Sequence, residues 1–158
     1  MNKPVRNALI GVGVAVVAAL GLVIVFAVVL IASAIRGHQA AERAGNEAAT
    51  IQNMKTISAV ETQYFKTHNL KFATIDQLVR EQMMSSKFLE NPPVADGYVL
   101  TLSLTPKPAS PGSSYTLAAD PRDNSSGTNH FYCDSTSDEI HVNSKRQAGP
   151  GDPLLTKR

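Results

Sequence analysis

The chain has 158 residues, 18% of them charged, with a net charge of +2, which bounds it to one ordinary domain or less. Lys3 and Arg6 supply the whole excess, so the chain from residue 36 onward is electrically balanced; it lacks the basic footprint of a nucleic-acid binder. The single cysteine, Cys133, excludes an intrachain disulfide,.

From Asn7 to Ile35 no residue carries a charge. As a helix this run reaches roughly 40 Å at 1.5 Å per residue. A bilayer core of about 30 Å needs only about 20 such residues. Residues 8–35 are therefore expected to be a transmembrane helix, with the lipid bilayer as its partner. Lys3 and Arg6 precede the run without any acid, whereas Arg36 and Arg43 are mixed with Glu42 and Glu47 after it. That asymmetry predicts a cytoplasmic tail over 1–7 and a single pass with the bulk outside. Ala32-Ser33-Ala34 has the form of a signal-peptidase site, but signal h-regions span only about 7–15 residues, so an uncleaved anchor is expected. Gly11, Ala15 and Ala19 stand at small-xxx-small spacing, which permits close helix approach and also suits a plain Val/Ala-rich anchor.

Beyond Arg36 the pattern stays helical and becomes amphipathic. Ala44, Ala48, Ile51, Met54, Ile57, Tyr64 and Phe65 share one broad face, with Gln52, Thr56 and Gln63 opposite,. No proline falls between Val5 and Asn91, so one helix from about Ala8 to Thr67 is predicted. His68-Asn69 suits its end. Thr74-Ile75-Asp76-Gln77 has the form of a capping box and opens a short second helix. Asn91-Pro92-Pro93 closes the helical region,.

The period then changes to two. Tyr98–Leu104 alternates large apolar residues with smaller ones, and Tyr115–Ala119 reads as a second strand,. Pro106, Pro108 and Pro111-Gly112 form the loop between them. Phe131-Tyr132-Cys133 and Ile140-His141-Val142 flank a turn at 135–138 and read as a hairpin. From Ser144 onward glycine, proline and charge dominate, so residues 144–158 are expected to be disordered. The fold class is α+β: a long N-terminal helix packed on a small antiparallel sheet of three to four strands, with one short extra helix, the outer domain covering 36–143.

The stretch from Asn46-Glu47-Ala48 through Lys55-Thr56-Ile57 resembles the "NEA…LRTI" helix of bacterial type IV pilin-like proteins. It is most similar to the major pseudopilins of type II secretion. Ile75-Asp76-Gln77-Leu78-Val79, Gly97-Tyr98, Tyr115–Pro121 and Gly127 through Phe131-Tyr132-Cys133-Asp134 follow in the family's order, over roughly 36–142. The resemblance implies a pilin-like fold, a bacterial inner-membrane location with a periplasmic or extracellular domain, and secretion or pilus components, or further copies of itself, as partners. Aligned on Asn46-Glu47-Ala48, the pilin helix glutamate falls at Ala19 and the prepilin cleavage point near Val14-Ala15, and neither signal is present. The apolar run is thus expected to be an anchor before it is an assembly element.

His38, His68, His130 and His141 lack the HExxH spacing of a zinc helix,. His130 and His141 fall on strands expected to pair, where they could meet Asp134. The loop from Asp120 to Gly127 is richer in hard oxygen donors. Calcium takes about six to eight such oxygens, so Asp120, Asp123 and Asn124 are the candidate metal ligands, and the family resemblance also implies calcium in this region. Turn chemistry explains the same residues without a metal. Cys133 shares a strand face with Phe131, which predicts a core thiol rather than a nucleophile. No GxSxG or phosphate-loop motif is present,, and no cofactor or small-molecule substrate is identifiable. A non-catalytic, membrane-anchored pilin-like protein is the expected function. A tethered ligand- or calcium-binding sensor module on the same fold is the alternative.

Overall fold

With no proline after Pro4 until residue 92, nothing in the sequence stops a helix once it has begun,. The computed structural model accordingly opens with α1, Lys3–Thr67. The structure describes residues 3–90, 92–106 and 113–156, and side chains from residue 21 onward except Val23 and Asp138. The side chains of Gly11, Ala15 and Ala19, and the loop at Pro108 and Pro111-Gly112, lie outside the described residues.

The chain divides into two units, Met1–Ala41 and Glu42–Arg158. In the first, the large apolar side chains of α1 among the described residues are exposed. Leu22 is 73% exposed, Phe26 63% and Ile31 61%. A helix that is apolar all round needs an apolar solvent. Counted from Ile24 alone, α1 is long and apolar enough to cross a membrane.

In the second unit α1 ends where the sequence predicts. Asn69 and Leu70 both take left-handed backbone angles, and the Leu70 amide donates to the Phe65 carbonyl at 3.1 Å. The capping box forms: Thr74 and Gln77 bond reciprocally at the start of α2, Ile75–Arg80. A short 3₁₀ turn follows at Ser86–Phe88.

Among the described residues five strands make one antiparallel meander in chain order: β1 (Val94–Ala95), β2 (Tyr98–Pro106), β3 (Ser113–Pro121), β4 (His130–Asp134) and β5 (Ser137–Asn143). The four expected strands are present, and β1 is additional. It pairs with β2 across Asp96-Gly97, both at positive φ, the Asp-Gly signal of a tight hairpin. The register sets Leu100 beside Ala119, Leu117 beside Cys133 and Phe131 beside Val142. One face of the sheet is buried: Tyr115, Leu117 and Ala119 alternate with more accessible neighbours, as do Phe131 and Cys133. Met54 and Ile57 of α1 join these residues in one core.

Two expectations are corrected. Ala44 and Ala48 are exposed, and the buried face of α1 carries Thr50, Asn53, Ser58 and Glu61 instead. The polar atoms of Asn53, Ser58 and Glu61 reach partners elsewhere along the chain, at Asp96, Tyr115 and Ala73, which a hydrophobic pattern cannot register. The tail from Ser144, expected to be disordered, is ordered through Thr156. It doubles back along β5: the Val142 amide donates to the Pro153 carbonyl at 2.9 Å, and the Leu155 amide to the Ile140 carbonyl at 2.7 Å. An edge strand offers unpaired backbone groups to any extended segment. Asp152 fastens this one by accepting from Asn143, Gly149 and Arg146.

Candidate functional site

The polar residues of α1 act as clamps between the helix and the loops of the sheet. Glu47 Oε1 accepts from the Thr128 amide at 2.9 Å, the Thr128 hydroxyl at 3.1 Å and the Asn129 amide at 3.2 Å. Its Oε2 accepts from Asn129 Nδ2 at 2.7 Å. Burial pushes this carboxyl up, but the bonds from Thr128 and Asn129 outweigh it and hold the group below the ordinary glutamate range,. One residue closer to the N-terminus, Asn46 Nδ2 donates to the Ser126 carbonyl at 3.0 Å.

The clamped loop joins β3 to β4. Tyr98 supports it from below, its hydroxyl donating to the Asn129 carbonyl at 2.9 Å. Burial, then the charges of Glu47 and Asp120, push that phenol above its usual range. Gly127 lies directly on the Tyr98 ring, where a Cβ would overlap the aromatic atoms. Gly97, at φ +78, faces Ser126 in the same cluster. Farther along α1, Asn53 Nδ2 donates to Asp96 Oδ2 at 2.7 Å, and Lys87 Nζ donates to Asn53 Oδ1 at 3.1 Å. The Asp96-Gly97 hairpin is thereby tied to the helix.

Glu61 is the odd member. It is fully buried. Its Oε2 accepts from the Ala73 amide at 3.0 Å, while Oε1 has no partner. Burial raises its carboxyl to about 7, against the opposing pull of the Ala73 bond. Neighbouring Tyr64 donates to Glu81 Oε1 at 3.2 Å and stacks on His68.

The candidate metal ligands face different partners. Asp120 Oδ1 meets His130 Nδ1 at 2.6 Å, and Oδ2 accepts from Gln147 at 2.7 Å. Asp123 Oδ1 accepts from the amides of Ser125 and Ser126 at 2.8 and 2.9 Å and from both hydroxyls, which closes the turn. Those bonds, the Ser125 hydroxyl first, lower its carboxyl to about 2. Asn124 is exposed. His141 Nδ1 meets the Asp152 carbonyl at 2.6 Å, and Asp134 holds Thr136. Among the described residues no group of three or more His, Cys, Asp or Glu is placed to hold a metal. Cys133 is 2% exposed, within the core. It also lines an open groove of about 610 Å³ between α1 and the sheet, with Met54, Ser58 and Ile140.

The sequence marked Asn46 as part of a family motif and Glu47 as that and as a flanking charge, and gave no separate role to Asn53 or Glu61. The signal for Glu61 was its position: it follows Met54 and Ile57 at helical spacing, and precedes Tyr64 by three residues on the buried stripe,. No protein-family model, curated protein or solved structure matches this chain.

Proposed function

We propose that this chain is a non-catalytic, membrane-anchored protein with a pilin-like outer domain. It is held at a bacterial inner membrane with its N-terminus in the cytoplasm and serves secretion or pilus machinery. The observation that carries the reading is α1 itself. Its first unit is apolar, with the described large apolar side chains exposed, and its later residues cover a five-stranded antiparallel sheet. The Asn46-Glu47 motif of the resemblance forms the clamp on the β3–β4 loop. A non-catalytic role is supported by how the polar groups of that cluster are used: Glu47, Asn53 and Asp123 each fasten chain to chain, and none of these bonds aims a reactive group into a cleft. Ala19, where pilins carry a glutamate, supports an anchor that does not pair with a neighbour's N-terminus,.

The test is mass spectrometry of the protein recovered from carbonate-washed membranes, combined with protease treatment of spheroplasts. An intact N-terminus, retention in the membrane and digestion of the domain from outside are expected. Release by carbonate would remove the anchor. Cleavage near Val14-Ala15 with incorporation into filaments would restore a processed pilin in its place.

A further inference from the structure

A polar pocket of about 400 Å³ lies between the β3–β4 loop, the tail and Arg43 of α1. Asn124, Thr128, His130, Ser144 and Lys145 also line it, and among the described residues no carboxylate does. The second observation is Arg43 Nε, which is shielded from solvent and has no hydrogen-bond partner. A donor of a charged group left unpaired is costly, so its position asks for an acceptor. We propose that this pocket binds a phosphate-bearing anion, with a membrane phospholipid headgroup as the source that chain reach favours.

The chemistry fits the residues. A guanidinium presents a planar fork of donors matched to phosphate oxygens, and a lysine adds a mobile point charge. Among the described residues neither Arg43 nor Lys145 has a carboxylate at ion-pair distance. The nearby acids are already bonded, Asp120 to His130 Nδ1 and Gln147, and Glu47 to Thr128 and Asn129. The Thr128 hydroxyl proton goes to Glu47, so Asn124 and Ser144 supply the neutral donors.

Reach selects the source. Arg43 stands eight residues beyond Ile35, the last residue of the uncharged run. Even fully extended, that much chain spans at most about 29 Å. With the run in a bilayer, whose headgroup layer extends several ångströms past the hydrocarbon, lipid phosphates lie within that reach of Arg43. The lipid source rests on the anchor reading; the anion site does not.

The test uses the full chain in micelles of an uncharged maltoside detergent at constant ionic strength. Inorganic phosphate is titrated in one arm and short-chain phosphatidylglycerol in the other, following the amide resonances of Gly127, Thr128 and Lys145. Saturable shifts are expected in both arms, with the lipid bound about tenfold more tightly, and Arg43→Gln is expected to weaken both by about tenfold. Lys145→Gln, on the exposed tail, is a second variant whose folding is not in question, and it is expected to weaken binding in the same direction. Equal affinity in the two arms retains the anion site and overturns the lipid source. No saturable shift in either arm, or unchanged affinity in both variants, overturns the proposal.

Discussion

Replacing Glu61 with glutamine should change how the domain's stability depends on pH. Glu61 is fully buried, with one oxygen on the Ala73 amide and the other unpartnered. Its carboxyl titrates at about 7 in the fold, against an ordinary 4.5. The folded chain thus holds this proton more tightly than the unfolded chain does. Its contribution is fully present below about 4.5 and is lost as pH rises through 7. At 1.36 kcal/mol per unit, the difference is worth about 3 kcal/mol. Wild-type stability should therefore fall by that order between pH 5 and 8, while Glu61→Gln stays flat across the same window. The carboxyls held low, Glu47, Asp123, Asp134 and Asp152, lose their contributions on the acid side as pH falls through their folded values, so they do not mask the effect. Glutamine keeps an acceptor for Ala73 but introduces amide donors where Oε1 has no partner, at a cost of about 1–3 kcal/mol. The slope is therefore the diagnostic, not the absolute stability. Urea denaturation of the full chain in detergent, followed by near-ultraviolet circular dichroism of the tyrosines, reads it at each pH. Parallel slopes for wild type and variant would refute the reasoning.

Three further outcomes follow from the packing. Glu47→Ala removes the acceptor for Thr128 and Asn129 and should cost about 2 kcal/mol, with faster hydrogen exchange at those two amides; unchanged exchange would mean the clamp carries no load. Gly127→Ala drives a methyl into the Tyr98 ring and should lower stability by about 1–3 kcal/mol in denaturant titrations, whereas a neutral result would mean the loop yields freely. Truncation after Asn143 uncovers β5, so the Val142 amide should lose its exchange protection and the protein should associate through that edge on light scattering; retained protection would show that the tail contributes nothing to the edge.

Much of the architecture was legible because its signals are local. The alternation in Tyr98–Leu104 and Tyr115–Ala119 follows from a sheet buried on one face. Thr74 and Gln77 lie within one turn, so their capping box can be read directly. Asp96-Gly97 was equally local, and β1 could have been found from it. The buried stripe of α1 was not readable in this way. Ala44 and Ala48 look like core and are exposed, whereas Asn53 and Glu61 look like surface and are buried. What decides the matter is Asp96 and Ala73, which fold back onto those side chains. Tail order has the same origin, since Gly149–Thr156 has no strand pattern and borrows its geometry from β5. Of the candidate site, the oxygen-rich loop at Asp120, Asp123 and Asn124 was visible, but the assignment of its oxygens to His130, Gln147, Ser125 and Ser126 required coordinates.

The clamp between Asn46 and Ser126 joins residues eighty positions apart, while adjacent strands of the meander close only short turns. Closing a long loop costs more entropy than closing a short one. Synthesis also delivers α1 long before residues 126–129. The helix can therefore engage Ala73 and the Asp96-Gly97 hairpin first, through Glu61 and Asn53, and the clamp on the β3–β4 loop is added only when that loop arrives. Contacts made that late add little to the speed of folding and act mainly by slowing escape from the folded state. Asn46 and Glu47 are on this account a latch on the lifetime of the domain.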